Sequence, residues 1–123
     1  MARVMIVDDT SFMRKILKDI FMKTGHSVVA EAENGRKAIK TYRSLELDLV
    51  TIDIIMPEMD GLETIKKIKS KDNDIKIIIV SAMGQKEIIF KAMDIGVDDF
   101  IVKPFKEERI KEAIEKTLSD SGS

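Results

Sequence analysis

The 123-residue chain has no cysteine and only one histidine. Without thiols it forms neither disulfides nor thiolate metal sites, which fits a reducing compartment. No apolar run approaches the roughly 18 residues that a membrane span requires, and the N-terminus lacks a secretory leader pattern. These absences read as a cytoplasmic protein with no membrane partner. An excess of charge of one sign is missing too: Lys+Arg number 21 and Asp+Glu 22, a net charge of −1. No global basic field draws the chain to nucleic acid, so any charge effect must be local.

What is present describes a globular fold. A composition of 44% hydrophobic and 35% charged residues supplies both a core and a solvated surface. One domain of this length buries about two-thirds of its unfolded surface. Short β-branched runs alternate with stretches of helical period, the pattern of repeated βα units on a parallel sheet. The expected strands are Arg3–Val7, Ser27–Ala32, Leu49–Ile52, Ile75–Val80 and Asp99–Val102. Between them, Phe12, Ile16, Leu17, Ile20 and Phe21 form one helical stripe, and Ala38, Tyr42 and Leu45 a second. Leu62, Ile65 and Ile68 form a third. Ile88, Ile89, Ala92 and Met93 form a fourth, and Ile110, Ala113, Ile114 and Leu118 a fifth. Gly25, Asn34–Gly35, Gly61, Gly84 and Gly96 mark the breaks. Residues 1–118 therefore read as one α/β domain, with 119–123 a fraying polar tail.

Right-handed crossovers place helices on both faces of an open, doubly wound sheet, whose ligands bind beyond the carboxyl ends of the strands. At those ends stand Asp8 and Asp9, Asp53, Ser81, and Lys103 before Pro104. Taken singly, each has an ordinary explanation. Asp9 or Thr10 would cap a helix, Asp53 and Ser81 would start turns, and a lysine before proline is normally a solvated charge. Independent accidents would scatter, yet all five fall on one edge of one sheet.

Converging carboxylates repel, by roughly 1–4 kcal/mol for a pair about 4 Å apart, so something positive must offset them. A set of oxygen donors without Cys or His suits a hard cation, and Mg²⁺ retains waters and completes its octahedron with a substrate phosphate. His26 lies before the second strand, at the other edge. Lys103 adds a point charge for a phosphoryl oxygen, and Ser81 a hydrogen bond to another. Together they read as a phosphoryl-transfer site with a carboxylate as acceptor.

The segments "IVDDTSFMRKIL", "DLVTIDIIMPEMDGLE", "IIIVSAMGQ" and "DDFIVKPF" resemble, in order, the motifs of receiver domains of two-component response regulators. The match runs from about Ala2 to Leu118 and is of the stand-alone chemotaxis type, with no appended output domain. The resemblance implies a flavodoxin-like (βα)5 fold with strand order 2-1-3-4-5. It implies that Asp53 accepts a phosphoryl group from a histidine kinase. It also implies that Mg²⁺ is held by Asp9, Asp53 and the backbone carbonyl of Ile55, with Asp8 acting through a water. Ser81 and Lys103 would bind phosphoryl oxygens, and the Lys103–Pro104 peptide would be cis, as is usual in the family. Phe100 takes the aromatic switch position, often Tyr in the family, so that only ring burial can report the state.

Signalling would then shift a pre-existing equilibrium on the face formed by helix 4, strand 5 and helix 5. Lys86, Ile89, Phe90, Met93 and Lys111 are the residues to watch there, although packing alone reads Ile89 and Met93 as core. The resemblance further implies that Ile55 and Met83, two residues after the acceptor and after Ser81, govern water access. Both are apolar and can cover the site, whereas Ala82 leaves an entrance for a kinase histidine. Slow self-dephosphorylation and a separate phosphatase follow. The remaining expectations are a monomer that catalyses only its own phosphorylation and dephosphorylation, acting on a flagellar motor switch protein or an archaeal-type adaptor, or else serving as a phosphate sink. An aspartate-phosphate hydrolase would need a second acid where Ile55 stands, and a flavin module a Ser/Thr/Gly-rich loop in place of "DDTSFMRK".

Overall fold

The computed structural model describes residues 1–119. Five strands alternate with five helices: β1 Arg3–Val7, α1 Ser11–Lys23, β2 Ser27–Ala32, α2 Gly35–Tyr42, β3 Leu49–Ile52, α3 Gly61–Lys71, β4 Lys76–Ser81, α4 Lys86–Ile95, β5 Asp99–Val102 and α5 Glu107–Ser119. The sheet is parallel, in the order β2-β1-β3-β4-β5. That is the doubly wound, flavodoxin-like arrangement expected, with its switch point between β1 and β3.

Period-two alternation divides the core. Val4, Ile6, Ile78, Val80 and Ile101 pack with Leu17, Ile20 and Phe21 of α1 and Ile110, Ala113 and Ile114 of α5. Met5, Val7, Val50, Ile52, Ile77 and Ile79 face the other way, onto Ala38 of α2, Ile65 and Ile68 of α3, and Ala92 of α4. Both faces of the sheet are thereby covered, which is why the inner strands β1, β3 and β4 are largely apolar on both faces.

Helix starts follow side-chain chemistry. The side chains of Thr10, Asn34 and Asp60 accept hydrogen bonds from the amides of Met13, Lys37 and Glu63, at 3.3, 2.9 and 2.9 Å. α4 ends at Gly96, whose φ of 105° lies in the left-handed region that glycine adopts without strain.

Several boundaries and faces depart from the sequence pattern. β4 starts one residue later than expected and includes Ser81. Leu45 lies beyond the end of α2. Ser119 belongs to α5 rather than to a tail, and the remainder of the expected tail, 120–123, lies outside the described residues. Phe12 is 74% exposed rather than part of the α1 stripe. At 100° per residue it stands about 140° around the helix from Leu17, off the buried face. Met93 is likewise exposed rather than core, one residue and about 100° from the buried Ala92. Ile89 is half-buried.

Candidate functional site

The strand ladder continues one residue past several strand ends, and this places the site. The amide of Asp8 bonds to the Ala32 carbonyl at 3.1 Å, that of Asp53 to Val7 at 3.1 Å, and that of Lys103 to Ser81 at 2.8 Å. Three side chains that are far apart in sequence are thus held in register at the carboxyl edge. The backbone of Asp53 is pressed further into place by α3. The Gly61 amide donates to the Ile54 carbonyl at 2.8 Å, and a Cβ on Gly61 would stand 2.3 Å from the Asp53 carbonyl oxygen. Only glycine permits that approach.

Asp8, Asp9 and Asp53 each present a carboxylate oxygen, and these oxygens lie within 4.8 Å of one another. Asp8 and Asp53 are buried, whereas Asp9 is exposed. The Lys103 ammonium donates to both buried acids, at 2.8 Å to Asp8 Oδ2 and 2.8 Å to Asp53 Oδ2. Burial works against the ammonium charge, but the hydrogen bonds and charges of Asp53 and Asp8 outweigh it, and the Lys103 pKa is raised. The other Asp53 oxygen, Oδ1, accepts from the Ile55 amide at 3.0 Å. Asp8 Oδ1 accepts from the Thr10 amide at 3.0 Å and hydroxyl at 3.1 Å. Asp9 has neither a hydrogen bond nor an ion pair among the described residues. Since Thr10 is the cap of α1, Asp9 is not spent on capping.

Ser81 is fully buried, and its Oγ accepts from the Met83 amide at 3.2 Å, which leaves the hydroxyl proton to donate. Phe100 is half-buried against the α3/α4 side of the core, and it sits beside Ile79 in the β4–β5 register, two residues from the Ser81–Val102 pair. The Lys103–Pro104 peptide is cis. Ile55 is 51% exposed, while Met83 packs against the same core cluster as Phe100. Ala82 is exposed. Lys86, Phe90 and Met93 are exposed on α4, and Lys111 of α5 is committed to an ion pair with Glu107 at 2.9 Å. A cavity of about 750 Å³ lies at the opposite edge of the sheet, lined by His26, Asp48, Lys69, Asp72 and Asp98 among others. It contains none of the expected site residues.

All-oxygen donors, one of them unpaired among the described residues, gathered around the Lys103 ammonium form a set that fits Mg²⁺. The residue range 4–115 matches the family described as the response regulator receiver domain.

The chain belongs to that family.

Receiver domains are the phosphorylation-dependent modules of two-component signalling. This receiver is 53% identical over 117 residues to the chemotaxis protein CheY of Bacillus subtilis, covering 95% of this chain and 98% of the relative. It is 52% identical to CheY of Thermotoga maritima over 114 residues, 93% of this chain and 95% of the relative. Among solved structures it resembles the CheX-CheY-BeF3-Mg²⁺ complex from Borrelia burgdorferi, with a TM-score of 0.92 and 31% identity over 94% of this chain and 88% of that one.

Reading the sequence found the three acids, Ser81 and Lys103 because each follows an apolar strand. It missed Arg14, which bonds to the Asp8 carbonyl and to Glu31 of β2, Arg109, which bonds to Asp99 of β5, and the pressure of Gly61 on Asp53. Charged residues on helices give no signal of such reach. The glycine was visible only as a break.

Proposed function

We propose that the protein is a phosphorylation-activated switch of a chemotaxis pathway, with Asp53 accepting a phosphoryl group from a sensor histidine kinase in the cytoplasm. One observation carries this reading: Lys103 bonds to Asp8 and Asp53 at 2.8 Å each, while Asp9, within 4.8 Å of both partners, is left without a partner among the described residues. An acceptor, a metal arm and a phosphoryl-binding cation are thus assembled at one point.

Asp8, Asp9, Asp53 and the Ile55 carbonyl would hold the metal. When bound, Mg²⁺ supplies positive charge for the oxygens of the transferring group. An Asp53 carboxylate oxygen attacks phosphorus, the bond from phosphorus to the donor imidazole nitrogen breaks, and the leaving imidazole keeps the electron pair. The ammonium of Lys103 moves with the new charge from carboxylate to phosphoryl oxygen, and the Ser81 proton donates to a second oxygen. Little else is needed beyond in-line placement, so the protein catalyses only its own phosphorylation and dephosphorylation.

A hydroxyl drawn toward the phosphoryl group vacates space on the α4 side, where Phe100 is half-buried. The ring turns inward, and the α4–β5–α5 face changes. Phe90, Met93 and Val102 are exposed there at 69%, 48% and 43%, an apolar surface suited to a protein partner such as a flagellar motor switch protein or an adaptor. Exposed Ile55 offers no hydrogen bond to an attacking water, which leaves signal termination to a separate phosphatase.

Acetyl phosphate tests the acceptor. Wild type gains an acid-labile label in Mg²⁺, and Asp53→Asn gains none, because an amide is not the required nucleophile. Undiminished labelling of the variant refutes the assignment.

A further inference from the structure

We propose that Arg14 is a positioning residue that aims the Asp8–Asp9 pair at the cation site, and that Glu31 of β2 holds Arg14 in place; this rests on reading the acidic cluster as a Mg²⁺ site. Asp8 has both carboxylate oxygens occupied, Oδ1 by Thr10 and Oδ2 by Lys103. Asp9 has no tether of its own among the described residues, so its direction is set by the backbone that carries it. The peptide joining the two acids is gripped from outside by one side chain. Arg14 donates from Nη1 to the Asp8 carbonyl at 2.7 Å and from Nε to Glu31 Oε1 at 3.1 Å.

The grip is built rather than incidental. The Arg14 side chain is only 17% exposed, and Glu31 is further engaged by Lys18 at 3.7 Å. A rigid planar guanidinium spans two acceptors on different elements, which the point charge of a lysine cannot do in the same way. The same bond occupies the Asp8 carbonyl oxygen, leaving carboxylates as the donors at the end of β1. Residues that orient metal-binding carboxylates commonly change metal affinity about tenfold or more when removed.

Charge and positioning predict opposite signs. If Arg14 acted only as a nearby positive charge, its removal would strengthen Mg²⁺ binding. If it aims Asp9, removal weakens binding. Calorimetric Mg²⁺ titration of wild type, Arg14→Gln, Arg14→Lys and Glu31→Asp, with metal-free melting recorded for each, separates the two. Expected is a loss of about tenfold in Arg14→Gln and a loss in both charge-conserving variants, Arg14→Lys and Glu31→Asp, beyond any change in melting temperature. Affinity equal to or tighter than wild type in Arg14→Gln, or full affinity in Arg14→Lys, overturns the proposal. If Arg14→Gln does not fold, Glu31→Asp decides: weakened binding supports the grip, and wild-type affinity refutes it. A wild type that binds no Mg²⁺ refutes the metal-site reading itself, and the role of Arg14 falls with it.

Discussion

Asp9→Asn removes one negative charge from a crowded site while keeping the side chain's shape, and its effect on stability should change sign with metal. Two unit charges 4.8 Å apart, the outer limit for these carboxylates, interact by about 0.9 kcal/mol in water and about 3.5 kcal/mol at an effective dielectric near 20. In the metal-free protein Asp9 is repelled by Asp8 and Asp53, and Lys103, which touches both of those acids, cancels roughly one of the two repulsions. One repulsive pair remains. Asp9 is exposed, so the water-like figure applies, and the substitution should stabilise the metal-free fold by about 1 kcal/mol. For a domain of this length that raises Tm by about 3–5 °C. Mg²⁺ at a hundred times its Kd stabilises a protein that binds it by about 2.7 kcal/mol, and Asp9→Asn forfeits most of that. Thermal unfolding in EDTA should therefore rank the variant above wild type, and unfolding in Mg²⁺ should reverse the order. A variant Tm at or below wild type in EDTA refutes the crowding argument; an unchanged order in Mg²⁺ refutes the ligand role of Asp9.

Gly61→Ala should cost about 1–3 kcal/mol in urea unfolding, because its Cβ would overlap the Asp53 carbonyl, and acetyl phosphate labelling should slow with it. Tyr42 is the only tyrosine, and burial together with the hydrogen bond and charge of Asp72 raises its pKa from 10.0 to about 12. Tyrosinate absorbance should titrate there and shift down in Asp72→Asn. Because the folded value is the higher one, the stability this group contributes is complete below pH 10 and lost as pH rises through about 12. Thr51 carries a buried hydroxyl without a hydrogen-bond partner among the described residues, so Thr51→Val should stabilise by about 1 kcal/mol; a lower Tm would show that the hydroxyl is satisfied in solution. Ile55→Asn should speed acyl-phosphate decay in Mg²⁺, since an exposed amide can orient water where the alkyl group cannot, and an unchanged half-life would remove Ile55 from control of water access.

Sequence by itself determined the fold class and the edge on which the site lies. Alternating strand and helix periods, crossover handedness and an apolar run before each polar residue suffice for that, because backbone hydrogen bonding and burial leave few other arrangements. Asp8, Asp9, Asp53, Ser81 and Lys103 were legible for the same reason. Tertiary structure decided which of them pair and which stand free. Asp9 and Thr10 compete for the same cap in the sequence, and the choice of Thr10 depends on where α1 begins relative to the sheet. Phe12 and Met93 left their expected stripes because the buried face of each helix is set by the angle at which it meets the strands, which residue spacing alone does not state. The grip of Arg14 on the Asp8 carbonyl and the approach of Gly61 to Asp53 are contacts of a helix with the loop at a strand end, and the Thr51 hydroxyl, among the described residues, is left without such a contact. They exist only after packing has fixed distances to within tenths of an ångström, and one-dimensional patterns carry no distances of that kind.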